Sequence, residues 1–361
     1  MLEIGIHTQE ARELMSQALR GKSGFEHEYP TVFGERPRGR VVTWKEAGRT
    51  SSACAFLVRD LRCPEGDVRL GLIGSVATAE DQRGRGFATR VLEGAESELA
   101  SRGCLASLLW ADDEAFYATR GYTRVGAEED FMLDRLLRPH LPSPKRVRPA
   151  RKSDAAAIHA LYRSHSRRAL RSSGETAELL AGPGMRVLVH DGPRGVDAYT
   201  CLGRGGDLGA VVHEWGGATE SLLACIAGTF DERQSVETLF VMAPLEGADI
   251  DPTSLPGRLR EAGIPSAPGV LALGRLLRPD LALGMLRDAC TTPQSFAHTR
   301  HGERWMLCGP AGTVAATETD LLSWILAPRA ERAALESLES RTGLCFPGLP
   351  RRPFLWGLDS I

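Results

Sequence analysis

The sequence predicts a mixed α/β (α+β) protein built from more than one unit. Three observations predict it. The stretch Val76–Thr89 (VATAEDQRGRGFAT) reads as the end of a strand, a turn and a glycine-rich start to a helix. Strand-like and helix-like segments then alternate along 361 residues, a length that suits two or three domains with real cores. Finally, Arg138–Lys152 (RPHLPSPKRVRPARK) breaks the pattern with prolines and six Lys or Arg residues, and a similar order of elements starts again after it.

Taken in order, Glu10–Leu19 is a short amphipathic helix, and Phe25–Arg38 (FEHEYPTVFGERPR) reads as an irregular loop. Val41–Lys45 and Ala53–Arg59 are strands joined by a turn at Gly48. Val68–Thr78 is the long central strand. The helix after the glycine turn carries Phe87, Ala88, Val91, Leu92, Ala95 and Leu99 on one face, a 3.6-residue period. Gly84 and Gly86 let the backbone approach a bulky group. The free N–H groups that open a helix, together with its dipole, form an anion site. Strand, glycine turn and helix start therefore predict a diphosphate cradle. The segment lacks the Gly-Lys-Ser/Thr ending of a P-loop, and it does not spell G-x-G-x-x-G. Ala106–Trp110 follows as a short buried strand, and Asp113–Arg120 as a helix. Tyr122–Val125 and Phe131–Leu133 are expected to close the sheet.

Composition narrows the function classes. A net charge of −2 gives no general reason to expect nucleic acid or an anionic membrane as partner. The basic stretch at 138–152 has no interleaved aromatics and reads as a solvated linker. Only four residues are Lys, which we attribute to coding bias toward Arg. The eight cysteines form no C-x-x-C, so neither a zinc site nor a redox pair is indicated. They read as small core residues in a reduced, cytoplasmic setting. The N-terminus has no basic head and no apolar run, so a secretory leader is not expected. No window reaches the roughly 18 apolar residues of a membrane span. His298 and His301 have no evident third ligand, and no metal is expected.

The glycine turn resembles the acyl-CoA loop of the GCN5-related N-acetyltransferases (GNAT), Gln/Arg-x-x-Gly-x-Gly/Ala, with Arg83, Gly86 and Ala88 in the fixed positions. Some thirty residues on, Phe116-Tyr117-Ala118-Thr119-Arg120-Gly121-Tyr122 resembles the F-Y-x-x-x-G-[FY] signature of the same superfamily. Residues 153–245 look like a second copy. Ser153 can cap a helix with Ala155, Ile158, Leu161 and Tyr162 on one face. Strands near Arg186–His190, Val196–Leu202, Leu208–Glu214 and Val236–Met242 surround a helix near Thr219–Ala227. This copy has lost the loop Arg, and Glu214 would repel a diphosphate. Gly269–Leu286 reads as mostly helical, followed by short strands and two helices. The apolar end PFLWGLDSI is expected to dock into the protein.

The layout is similar to the enhanced-intracellular-survival type of acetyltransferase: an active GNAT domain, a degenerate one and a sterol-carrier-like C-terminal domain. The resemblance implies tandem GNAT folds with mixed, mostly antiparallel sheets flanked by helices. The expected units are 1–137, a linker at 138–152, 153–250, and a small α+β domain at 265–361. It also implies direct acetyl transfer from acetyl-CoA to an amine of a small molecule or peptide. Val76, Ala77 and Thr78 would hold the pantetheine arm. Arg83, Gly84, Arg85, Gly86, Phe87, Ala88 and Thr89 would hold the diphosphate. Tyr117 matches the family's general acid. Many relatives keep a Glu on the central strand as base, but Val68–Ala79 holds no carboxylate. Three sources stay open: the C-terminal carboxylate of Ile361, which is preferred because the survival-type family uses its terminus so; Glu26, His27 or Glu28; or an amine that arrives neutral. Asp112, Asp113 and Glu114 either greet a cationic amine or begin the helix. The alternative function is a non-catalytic acyl-CoA or lipid binder. Self-association is left open.

Overall fold

The computed structural model describes residues 1–21, 24–245 and 251–361, with all their side chains except those of Glu26 and Ala330. β1 (Leu2–Gly5), α1 (Gln9–Arg20) and α2 (Pro30–Phe33) lead into β2 (Arg40–Glu46), β3 (Arg49–Arg62) and β4 (Val68–Thr78). α3 (Phe87–Ser101), β5 (Ala106–Leu109), α4 (Glu114–Ala118), β6 (Thr123–Val125) and β7 (Glu128–Asp134) follow. The second unit runs through β8 (Val147–Pro149), α5 (Ala155–Arg163), β9 (Arg168–Ala169), α6 (Ser173–Leu179), β10 (Arg186–Gly192), β11 (Gly195–Arg204), β12 (Asp207–Gly217), α7 (Thr219–Glu232) and β13 (Thr238–Pro244). Next come α8 (Leu255–Glu261), β14 (Ser266–Gly269), β15 (Ala272–Leu276) and α9 (Pro279–Ala289). A three-stranded sheet, β16 (Ala297–His301), β17 (Arg304–Gly309) and β18 (Gly312–Ala316), with α10 (Glu318–Ile325) and α11 (Ala333–Thr342), completes the order. No helix among the described residues is long and apolar enough to cross a membrane.

The first sheet has the order β1-β2-β3-β4-β5-β15-β6, with β9 added to β3. Its pairs are antiparallel except β4 with β5, which run parallel and pair only at Gly71–Ser107 and Leu72–Leu108. Beyond Leu72 the two strands part. The second sheet has the order β14-β7-β13-β12-β11-β10-β8. It repeats the device: β12 and β13 are parallel and pair only at Val211–Phe240 and Val212–Val241. Each copy thus contains a crevice between two diverging parallel strands.

Three strands cross between the sheets: β9 of the second unit pairs with β3 of the first, and two others depart from expectation. β7, expected to close the first sheet, pairs instead with β13 and β14 in the second. β15 enters the first sheet between β5 and β6, where a helix was expected. Gly274 permits this fit, because a Cβ there would lie 2.7 Å from a Val125 methyl and 3.0 Å from a Leu108 methyl. Two further expectations change. Phe25–Arg38 is built around a 3-10 turn and α2, with Phe25, Val32 and Phe33 buried in the core. The linker ends in β8, and its Arg148 pairs with Asp154 and Asp191.

Candidate active site

The end of β4 is shaped by a bulge. β3 pairs Ala53 with Ala77 and Ala55 with Gly74, so Ser75 and Val76 together face Cys54. Ser75 takes a left-handed φ of 55°, uncommon for a residue with a side chain. Ser52 Oγ donates to Ala77 O (2.9 Å), which ties this end to β3. The turn after Thr78 reaches α3 through Gly84 (φ 76°) and Gly86 (φ 77°). A Cβ at either glycine would meet nothing within 4 Å. The glycines are needed for their backbone angles, and the space before them is open. Gly86 caps α3 without any side-chain acceptor. Among the described residues, the N–H groups of Phe87, Ala88 and Thr89 donate to no protein group. Arg83 is exposed; Arg85 donates to Gln82 Oε1, lies over the Phe87 ring (4.7 Å) and makes an exposed pair with Glu46 (3.3 Å), of small energetic weight. Arg120 donates to Thr89 Oγ1 (2.8 Å) and stacks on Phe116.

Tyr117 lies on α4, whose first turn is capped by Asp113 Oδ1 accepting from the Phe116 N–H (3.1 Å). Its ring meets Phe116 and Tyr122 edge-on, at 4.9 and 5.7 Å between centroids. It packs against the core formed by Cys54, Val91, Leu92 and Leu109. Among the described residues its hydroxyl has no partner. Burial pushes its pKa above the usual tyrosine value. The group is therefore protonated at neutral pH and can give a proton to a departing anion.

The C-terminal segment is docked, as expected: Phe354, Leu355, Trp356, Leu358 and Asp359 are buried. Each large apolar side chain contributes about 1.5–3 kcal/mol by leaving water. Direction comes from polar groups. Asp359 accepts from Tyr162 OH (2.8 Å) and pairs with Arg171 (3.1 Å), which also grips Glu214 (2.6 Å). All three charged side chains are fully excluded from solvent. Arg204, also buried, donates to Gly357 O (2.6 Å), Ser360 Oγ (2.8 Å) and Ser360 O (3.1 Å). These contacts set Ile361 on the central strand. A Cβ at Gly74 would lie 2.7 Å from the Ile361 oxygen, so only glycine allows this approach.

Ile361 lines a cavity of about 600 Å³, together with Trp110 at the end of β5 and Asp112, Glu128, Asp130 and Phe240. Asp207 also lines it but is satisfied by Arg20 (2.6 Å) and Tyr29 OH (2.7 Å). Glu128 and Asp130 share one face of β7 and have no cationic partner among the described residues. Asp130 Oδ1 is buried without any hydrogen bond. Burial, with the charge of Asp130 added, pushes Glu128 up to about 8. These acids were missed in the sequence. The alternation of Glu129, Phe131 and Leu133, all buried, was the signal that places 128 and 130 on the opposite face. Of the alternative bases, Glu28 is paired with Arg20 (2.8 Å), His27 is exposed, and the Glu26 side chain lies outside the described residues. Glu114 pairs with Arg124 at the surface.

The second crevice is closed. Trp215 Nε1 on β12 donates across it to Met242 O on β13 (2.8 Å), and Trp356 of the tail packs edge-on against Trp215. Thr219, opening α7, donates to Thr253 O (2.6 Å), and a Cβ at Gly217 would collide with the Asp197 carbonyl. Glu214 faces Arg171 and not a phosphate, which corrects its expected role. Among the described residues no cluster of three or more His, Cys, Asp or Glu could hold a metal.

Residues 7–125 match the family model of the acetyltransferase (GNAT) domain. Among solved structures, a GCN5-related N-acetyltransferase from Kribbella flavida aligns over 100% of both chains, with 15% identity and a TM-score of 0.63. One from Anabaena variabilis ATCC 29413 does so with 12% identity and the same TM-score. Eis1 from Mycobacterium abscessus aligns over 98% of this chain and 99% of its own, with 13% identity and a TM-score of 0.52. At these identities the likeness establishes the fold alone, a mixed α/β structure with mostly antiparallel sheets and helices. No curated protein matches the sequence. Residues 7–125 thus form a GNAT domain, and domain and fold together support acyl transfer.

Proposed function

We propose that this chain, through the GNAT domain in its first third, transfers acetyl from acetyl-CoA directly to a primary amine of a small molecule or peptide. One observation carries the reading: the unpartnered N–H groups of Phe87, Ala88 and Thr89 stand behind two left-handed glycines, next to where β4 parts from β5. That is a cradle for a diphosphate with a slot beside it for an extended arm. Val76, Ala77 and Thr78 would bond the arm as an added strand would, and Arg83 or Arg85 would add charge-assisted bonds. The three-part order read from the sequence, with a sterol-carrier-like last unit whose limit at 265 is crossed by β14 and β15 as the limit at 137 is by β7, and a reducing cytoplasmic setting for the eight free cysteines belong to the same proposal.

In this reading the neutral amine attacks the thioester carbonyl. The C–N bond forms, the C–S bond breaks, and the Tyr117 hydroxyl gives its proton to the departing sulfur. The carboxylate of Ile361, set against Gly74, takes the proton the amine loses. Glu128 and Asp130 favour an acceptor that carries a cationic group beside its reacting neutral amine, because such an ammonium would supply the partner they lack. Orientation on rigid strands does most of the work. A lipid-binding reading is weaker, since Leu307, Val314, Leu321, Leu335, Leu338 and Phe346 fill the interior of the last unit.

The test is a thiol-release assay with acetyl-CoA and a panel of amines, run beside Tyr117→Phe. Release that needs an amine and falls about 100-fold or more in the variant supports the reading. Tight CoA binding with no release across the panel would favour the binder.

A further inference from the structure

β15 brings a charged side chain into the first unit from beyond the second. Arg275 Nη1 lies 2.6 Å from Glu96 Oε2 on α3. Glu96 is only 7% exposed, and its other oxygen accepts from the Tyr122 hydroxyl (2.8 Å). Ser107 Oγ on β5 lies 3.0 Å from the same hydroxyl. Tyr122 is itself buried and touches Tyr117 in two ways. Its N–H donates to Tyr117 O (3.2 Å), and its ring stands edge-on to the Tyr117 ring at 5.7 Å. An unbroken series of polar and ring contacts therefore runs from β15 to the side chain read above as the acid.

The series matters because apolar packing holds the Tyr117 ring but no described polar partner aims its hydroxyl. Its hydroxyl has no partner among the described residues, and the ring is guided by Phe116 and Tyr122. Tyr122 is held at its far end by Glu96 and Ser107. Glu96 is a carboxylate in a buried place, and Arg275 is the cation that pairs with it there. Without that cation the carboxylate would take up a proton or turn toward water, and the Tyr122 hydroxyl would lose its fixed acceptor.

We propose that Arg275 is a positioning residue that aims Tyr117 through Glu96 and Tyr122. The inference rests on Tyr117 acting as the acid. It means that the catalytic sheet is completed, and its acid aligned, by a strand that follows the second unit.

The experiment is a double-mutant cycle on the full chain. Arg275→Met, Arg275→Lys and Tyr117→Phe are made singly, and Arg275→Met is also combined with Tyr117→Phe; kcat, KM for acetyl-CoA and the folded fraction are measured. The expected result is that Arg275→Met lowers kcat about tenfold at unchanged KM for acetyl-CoA. Arg275→Lys recovers part of the loss, and Arg275→Met has no further effect once Tyr117 is Phe. An equal fall in both backgrounds marks a structural role and overturns the inference, as does an unchanged kcat. If Tyr117→Phe itself keeps full activity, the reading of the acid fails, and this inference with it. Should Arg275→Met not fold, Arg275→Met with Glu96→Gln removes both charges together and carries the same comparison.

Discussion

Gly74→Ala tests whether the end of the chain belongs to the chemistry. The added Cβ would lie 2.7 Å from the Ile361 oxygen, 3.0 Å from its carbonyl carbon and 3.2 Å from its Cγ1. Ordinary contacts of this kind begin near 3.4 Å, so the oxygen must retreat by about 0.7 Å. The tail cannot relax by sliding as a whole, because Arg204 holds Ser360 and Gly357, and Arg171 holds Asp359. Displacement is confined to the last residue. Overpacking of this size costs about 1–3 kcal/mol of stability, which a thermal melt reads as a fall of a few degrees. A misplaced catalytic group costs more in rate: we expect kcat to fall about 10- to 100-fold. KM for acetyl-CoA should change little, since the cradle at Gly84–Thr89 is untouched. Adding one residue after Ile361 should act in the same direction. A lowered melting temperature with unchanged kcat would refute the role given to Ile361 and leave the tail as packing.

Two further outcomes follow from buried charges. Glu128 has a folded-state pKa near 8, above the ordinary carboxylate value, so the fold favours its protonated form. That contribution is complete below about pH 4.5 and is lost as pH rises toward 8. Glu128→Gln should therefore melt higher than the native chain at pH 8, with the gap closing near pH 5, and should bind a cationic acceptor more weakly at pH 8; a constant gap across that range would contradict the assignment. Asp359→Ala removes the shorter of the two acceptors of Tyr162 OH, leaving it Ala169 O (3.1 Å), and leaves part of Arg171 without its partner in a fully buried site. It should cost about 3–5 kcal/mol in denaturant unfolding and lower turnover by freeing the tail, whereas a loss under 1 kcal/mol would mean that the contacts are not formed in solution.

What could be read in advance was local. The bounds of β4, the glycine turn and the apolar stripe of α3 follow from patterns a few residues long, and they frame the cradle. What could not be read was which strand pairs with which. Period-two alternation assigns faces, and it shows Glu128 and Asp130 opposite Phe131, but it does not say that β7 leaves its own sheet. β15 is five residues long and runs almost directly into α9, so its Ala-Leu-Gly-Arg-Leu reads as helix. The grip of Arg171 on Asp359 spans 188 residues and has no signature in sequence.

In the proposed reading the second unit has no open cradle of its own yet is built into the site of the first. β13 and β14 carry β7, and so present Glu128 and Asp130 to the cavity. The β11–β12 hairpin supplies Asp207, which orients Tyr29, and β11 supplies Arg204, which holds the tail. Its closed crevice is filled by Trp215 and by the tail itself. A buried Arg171–Glu214–Asp359 cluster adds little net stability over an apolar one, because desolvation offsets the attraction. What it adds is register. Tail residues held only by apolar contacts could slide along the groove, whereas Asp359 fits one place, and that place sets Ile361 on Gly74. In the proposed reading the second unit is thus the fixture that locates the acceptor wall and the chain end relative to β4, and variants that loosen it should lower turnover without weakening the proposed cradle for the coenzyme.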